Sequence, residues 1–149
     1  MKSPKNKSKK RKASGKKLVE KAGLAIKHEF YLEASWILSS ILERKIRKIR
    51  EKLEKPENGE GATFEQSIRR IKQLHVSSEY PVLNANIELS LIEKIRSWKN
   101  KRNQVLKGLA EGNVTDLRLE RLALEGIQLY KELNKGSKSL KSLDGPSEK

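Results

Sequence analysis

Apolar residues recur every three or four positions between Ile87 and Gly112, and this spacing restricts the chain to a helical fold more than any other feature does. They place one continuous stripe along a helix face: Leu91, Ile95, Trp98, Val105 and Leu109. Arg102 lies within the same stripe, where burying a guanidinium group is costly unless something pairs with it. We therefore expect Arg102 to face a cleft or a partner, or else to extend past the stripe into water.

Similar spacing predicts further helices over residues 18–28, 30–53, 63–75 and 115–134. The last of these has Leu117 and Leu124 among its expected core residues. No segment shows the alternation of a strand. The sequence therefore predicts an all-α fold, an up-and-down bundle of four to five helices joined by short loops.

Local signals place the ends of these helices. Thr63 and Gln66 have the spacing of an N-terminal capping box. Residues 56–62, which are rich in Gly and Glu, are predicted to form a loop. The segment around Tyr80-Pro81 is predicted to be a connector, because the residue before a proline avoids the helical conformation. Gly136 is expected to stop the last helix near residue 134.

Charge divides the chain into three parts. Residues 1–17 hold nine basic residues and no acid, out of a net charge of +15. We expect these residues to form a disordered basic arm, residues 18–134 to form the bundle, and residues 135–149 to form a flexible polar tail. Such an excess of cations favours polyanion binding, although solubility alone also accounts for a basic tail.

Several kinds of chemistry find no support in the sequence. The absence of cysteine excludes disulfides, thiolate zinc sites and cysteine nucleophiles. His28 and His75 have no second ligand at metal spacing, and no phosphate-binding glycine loop of the Walker type occurs. No apolar run approaches the length of a bilayer-spanning helix, and no signal peptide is evident. We expect a cytoplasmic protein with no membrane segment, metal or cofactor.

The segment from Trp98 to Lys107, WKNKRNQVLK, resembles the signature helix of the HEPN domains, and the helices over 31–53 and 115–134 also fit that family. HEPN domains are small helical bundles of prokaryotic toxin, CRISPR and other defence systems. Their motif is an arginine, a polar residue and, four to six positions after the arginine, a histidine. The resemblance implies that Arg102 and Asn103 correspond to the first two positions, and that two protomers form a cleft that cuts RNA without metal.

The chain departs from that motif because Lys107 stands at the histidine position. Lysine contacts phosphates, but its ordinary pKa of about 10.4 makes it a poor base at neutral pH. This departure favours a catalytically impaired relative that binds RNA. Two alternatives stay open: an endoribonuclease that uses Arg102, with Lys107 at a depressed pKa, and a module that docks a protein such as a nucleotidyltransferase antitoxin or a CRISPR component. A coincidental likeness, with Arg102 only a salt-bridged residue of the bundle, is also open.

We expect RNA to contact basic side chains of both the arm and the central helix: Lys9, Lys10, Arg11, Lys12, Lys94, Arg96, Lys99 and Lys101. Glu43, on the helix expected to pack alongside, is the predicted carboxylate partner of Arg102. A homodimer is expected, since the cleft implied by the resemblance exists only between protomers.

Overall fold

Helices form nearly all of the described chain. The structure is a computed structural model that describes residues 4–54 and 63–140, with side chains from residue 15 onward. Its helices are α1 (Pro4–Lys27), α2 (Tyr31–Leu53), α3 (Phe64–Ser77), α4 (Pro81–Asn86), α5 (Leu89–Ala110) and α6 (Asp116–Leu140). Within these two ranges there is no strand. The predicted all-α class is therefore confirmed, and the described residues form six helices rather than the four to five that the sequence predicts.

The core lies around α2, which packs against α1, α3, α5 and α6. Large apolar side chains of α2, α5 and α6 meet there, including Leu38, Trp98 and Leu133, each with at most 1% of its surface exposed. The Trp98 indole N–H donates to the Leu122 carbonyl oxygen at 2.8 Å. Gly126 makes room for that ring, since a Cβ there would lie 2.6 Å from it. The expected packing of α2 beside α5 is thus present.

The predicted start of α3 is confirmed. The Gln66 backbone N–H donates to the Thr63 hydroxyl at 3.1 Å, and the Thr63 N–H donates to the Gln66 side chain at 3.0 Å. This reciprocal pair satisfies two donors that a helix leaves without intrahelical partners. The loop predicted over residues 56–62 lies outside the described residues.

The segment around Pro81 is a short helix, and the prediction of a connector there was wrong. Pro81 is the first residue of α4, while Tyr80 before it is extended, with φ −122° and ψ 94°. A proline in the first turn costs no hydrogen bond, because a backbone N–H at that position would have no partner inside the helix. The φ angle that the proline ring fixes is also a helical one. The restriction on Tyr80 therefore marks where a helix begins.

The last helix continues beyond the predicted stop, to Leu140. Gly136 lies inside α6 and is buried, and a Cβ at this position would stand 2.5 Å from the Asn86 carbonyl oxygen. Glycine is thus needed here for the approach of α4. Leu140 is fully buried, so residues 135–140 belong to the bundle and were wrongly assigned to a polar tail. Residues 141–149 lie outside the described part.

The first helix differs from the expected arm. It begins at Pro4, so the backbone of residues 4–17 is helical where we expected disorder. Lysine, arginine and alanine are favourable in helices, and this stretch continues directly into the half of α1 that packs through Ala22 and Ala25. None of the helices in the described ranges has both the length and the apolar character needed to cross a bilayer.

Candidate functional site

Arg102 lies in the core stripe of α5, as the spacing predicts. Only 9% of its surface is exposed, and Trp98 and Val105 on the same stripe are fully buried. One terminal nitrogen donates to the Asn103 side-chain oxygen at 3.3 Å. Among the described residues, no group accepts a hydrogen bond from its Nε atom. Burial lowers the pKa of the Arg102 guanidinium from its ordinary value.

The guanidinium group of Arg102 faces the indole ring of Trp36 on α2. Its Cζ atom lies 5.3 Å from the ring centroid, within the range of a cation–π contact. Trp36 nevertheless leaves 60% of its surface exposed. A large aromatic ring on the outer face of a helix, beside a buried cation, is unusual for a residue that only stabilises the fold.

Glu43 does not pair with Arg102, contrary to the prediction. Its carboxylate accepts a hydrogen bond from the Lys99 ammonium, and both side chains are mostly buried. Lys99 precedes Arg102 by less than one helical turn, so its flexible chain reaches the carboxylate while the Arg102 guanidinium turns to Trp36. Glu43 therefore does contact α5, as expected, but it bonds Lys99 and not Arg102.

Lys99 is held between several groups. Its Nζ atom lies 4.1 Å from the centroid of the Phe64 ring, in addition to the bond with Glu43. Burial, and second the nearby charge of Arg102, lower the pKa of the Lys99 ammonium, although the bonded carboxylate favours the charged form.

An open groove lies beside these groups, between α2, the start of α3 and α5. Its volume is about 560 Å³. We call it the α2–α5 groove, and it is lined by Glu43, Arg47, Thr63, Phe64, Glu65, Lys99, Asn100 and Asn103. Arg102 adjoins it through its hydrogen bond to Asn103. The lining thus combines cations, carboxylates and amides that donate and accept hydrogen bonds.

Lys107 does not join Arg102 in this groove. Residues five apart on an α-helix point about 140° away from each other, since each residue turns the helix by about 100°. Arg102 is buried, whereas Lys107 is exposed on another side of α5. Asn103 and Lys107 are four residues apart and share a face of α5, so Lys107 adjoins the groove beside Asn103 without belonging to its lining.

The other basic residues predicted on α5 are divided between its two sides. Lys101 bonds Glu125 of α6 at 3.1 Å, whereas Arg96 pairs with Glu65 of α3 at 3.4 Å. Lys94 is exposed and lies two turns from Lys101 by helical spacing. The structure thus brings only Lys99 of this group together with Arg102. Lys9, Lys10, Arg11 and Lys12 are in the first half of α1, where only the backbone is described.

The two histidines lie apart from this groove lining. His75 has a ring nitrogen 2.9 Å from the Ile87 carbonyl oxygen, which fixes it at the end of α3. His28 is exposed in the turn after α1. The described residues contain no cluster of His, Cys, Asp or Glu suited to hold a metal ion.

Trp36 and Arg47 belong to this site, and sequence reasoning did not single them out. The sequence did contain a signal for them, namely their position on the helix relative to its apolar face. Both residues fall on the face of α2 opposite its core side chains, where Arg47 is ordinary and a tryptophan is not. The partnership of Trp36 with Arg102 could not be seen, since it depends on how α2 and α5 pack.

Comparison of the chain with protein-family models, curated proteins and solved structures found no match. What the fold itself shows is an all-helical bundle with no family assignment.

Proposed function

We propose that this protein binds single-stranded RNA at the surface formed by Trp36, Arg102 and the α2–α5 groove. The observation that carries the proposal is the exposed Trp36 ring beside the buried Arg102 guanidinium, 5.3 Å apart. Exposed aromatic rings stack on unpaired bases, and neighbouring cations contact the phosphates between them. The resemblance of residues 98–107 to the HEPN helix favours the same class of ligand.

The groove supplies the further groups that such a ligand needs. Arg47 and Lys99 offer positive charge, and the Arg102 guanidinium adds a third cation beside the groove. The Asn100 and Asn103 amides both donate and accept, so they suit base edges and the ribose 2′-hydroxyl. Contact with that hydroxyl is the means by which proteins prefer RNA to DNA.

Binding without efficient cleavage fits this arrangement better than a ribonuclease does. Cleavage by attack of the 2′-hydroxyl needs a general base near the cations that stabilise the phosphate. Lys107, which stands at the histidine position of the motif, points about 140° away from Arg102 on α5. Glu43 is bonded to Lys99. We therefore propose that the chain is a catalytically impaired member of the HEPN class, of the kind found in toxin and phage-defence systems.

Tryptophan fluorescence tests the proposal directly, because Trp36 is exposed and the other tryptophan, Trp98, has 1% of its surface exposed. We expect an oligouridylate of about 12 nucleotides to quench the emission and to bind with a Kd that Trp36→Ala raises about tenfold, given the usual strength of base stacking. A DNA oligonucleotide of the same length, which lacks the 2′-hydroxyl, should bind more weakly than the oligouridylate does.

Two variants serve as controls. Lys131→Ala removes an exposed cation of α6 that is not part of the groove lining, so we expect at most a small change in Kd. Trp36→Phe keeps an aromatic platform and should retain most of the affinity while abolishing the quenching signal. Equal affinity of wild type and Trp36→Ala for RNA would refute the proposal. RNA cleavage in EDTA that depends on Arg102 would instead support the ribonuclease.

A protein-docking role is the second candidate, because exposed apolar residues lie on one stripe of α6. Leu117 and Leu124, expected in the core, have 55% and 47% of their surfaces exposed and are two turns apart. A second copy of the chain could cover such a stripe, and this dimer would differ from the Arg102 cleft that the resemblance implies. A solution mass by light scattering tests it: a dimer that Leu124→Asp converts to a monomer supports the candidate, and a monomeric wild type removes it.

A further inference from the structure

We propose that the Glu43 carboxylate occupies the place at Lys99 that a phosphate of the ligand takes, and that Glu43 therefore sets the affinity of the α2–α5 groove for phosphate-bearing ligands. Binding then requires the exchange of one anion for another at the same ammonium. This inference rests on the proposed function, because it concerns the same groove and the phosphates of the proposed RNA ligand.

The geometry supports an exchange. Glu43 and Lys99 both line the groove, and their side chains retain 26% and 21% exposure, so an incoming anion reaches them from solvent. The ammonium also lies over the Phe64 ring, which fixes its position whichever anion it meets. A ligand phosphate there would stand close to Arg102, whose charge already acts on Lys99.

The charges around this position explain why a phosphate competes successfully with the carboxylate. Lys99 and Arg102 are two neighbouring cations, and Glu43 bonds only the first of them. An anion that contacts both cations gains more than a carboxylate that contacts one, and phosphate offers several acceptor oxygens for this purpose. Arg102 therefore favours the exchange, and Glu43 opposes it.

Glu65 is a second acid in the groove lining, and it distinguishes direct competition from a general effect of charge. It pairs with Arg96 at 3.4 Å rather than with Lys99, and its side chain is half exposed. Removing either carboxylate makes the groove more positive by one charge. Only the removal of Glu43 frees the ammonium that the proposal assigns to the phosphate.

The test is a double-mutant cycle on RNA affinity, with the labelled oligouridylate as probe. We expect Glu43→Gln to tighten binding about fivefold and to steepen the dependence of log Kd on log salt by about 0.7, the contribution of one further phosphate contact to a single strand. Glu65→Gln removes the same charge from the groove without freeing Lys99, so it should tighten binding by less than Glu43→Gln does, about twofold at most. In the Lys99→Met background, Glu43→Gln should have almost no effect.

The possible outcomes separate this inference from the proposed function. Unchanged or weaker binding by Glu43→Gln overturns the inference, even where Trp36→Ala shows that the stacking site is real. An equal gain from Glu65→Gln, or a gain that persists without Lys99, also overturns it, because the effect is then general electrostatics. A Lys99-dependent gain with no effect of Trp36→Ala supports the anion exchange and refutes the stacking proposal. Thermal melts of each variant confirm that it is folded.

Discussion

Arg102 is a buried charged residue whose one hydrogen bond in the described structure goes to the neighbouring Asn103 side chain. It is buried in the stripe of α5, yet no carboxylate pairs with it among the described residues, and its Nε lacks an acceptor there. Desolvating a guanidinium costs free energy that a cation–π contact with Trp36 offsets only in part. A ligand phosphate beside the groove would add the opposite charge that Arg102 lacks. Function is therefore a better explanation for this residue than stability.

Replacement of Arg102 by methionine tests that view. Methionine fills a similar volume without a charge, and replacing buried charged groups by apolar ones is often neutral or stabilising. We expect the free energy of unfolding to stay the same or rise by about 1 kcal/mol, while RNA affinity falls about tenfold. Urea titration followed by circular dichroism measures the first quantity, and fluorescence anisotropy measures the second.

Val105→Ala is the matched control on the same stripe, since Val105 is fully buried. Because this substitution removes buried apolar contacts, it should lower the free energy of unfolding by about 2 kcal/mol. The RNA affinity of the folded protein should stay nearly unchanged. If Arg102→Met destabilises as much as Val105→Ala does, Arg102 has a structural role that its contacts do not explain.

At the scale of helices, local signals predicted what depends on local chemistry. Which face of α5 is buried, and where α3 begins at the capping box of Thr63 and Gln66, depend on residues close together in the chain. Both could therefore be predicted from the sequence. The extent of α6 depends instead on Asn86, whose carbonyl approaches Gly136 from another helix. From the sequence alone, Gly136 predicts the end of a helix. In the fold, it instead allows the close approach of the Asn86 carbonyl. The Lys99–Glu43 pair was missed for the same reason.

Two glycine substitutions separate these roles. Gly136→Ala should destabilise by about 2 kcal/mol, because its Cβ would stand 2.5 Å from a backbone oxygen, and this overpacking exceeds alanine's advantage in helices. Gly23→Ala in α1 meets nothing within 4 Å and should stabilise by about 0.5–1 kcal/mol. Thermal unfolding of both proteins measures the contrast, and a stable Gly136→Ala protein would mean that α4 can move away from α6.

The end of α2 is joined to α3 by a charged pair with a defined pH dependence. Arg70 donates two hydrogen bonds to the Glu54 carboxylate, one of them at 2.7 Å, and this contact lowers the pKa of Glu54. A lowered folded pKa stabilises the fold above the ordinary carboxyl value of about 4.3, and the contribution is lost as pH falls through the lower value.

We therefore expect Glu54→Gln to reduce the free energy of unfolding at pH 7 by no more than about 1 kcal/mol, since both side chains are partly exposed. The difference from wild type should shrink below about pH 4. Urea titrations across this range measure it, with the exposed Glu51→Gln as the control for removing one acid from α2. A difference that stays constant with pH would assign the effect to packing.

At the scale of the whole molecule, the densest positive charge lies at the start of the chain and not at the proposed site. The net charge is +15, and nine basic residues fall within residues 1–17. The α2–α5 groove has a mixed lining instead, with acids beside its cations. Long-range attraction of a polyanion would thus come from the start of α1, and selection of a single strand from Trp36 and the groove.

Removal of residues 1–14 tests this division of roles, because it deletes seven basic residues and leaves the part of α1 that packs through Ala22 and Ala25. We expect unfolding to change little and RNA binding at low salt to weaken strongly. The slope of log Kd against log salt should fall by up to about 5, since each phosphate contact to a single strand contributes about 0.7. Quenching of Trp36 at saturating RNA should persist, because stacking does not depend on the deleted residues. Loss of that quenching in the folded, truncated protein would place the RNA contact on the arm itself, whereas an unchanged salt slope would show that the arm takes no part in binding.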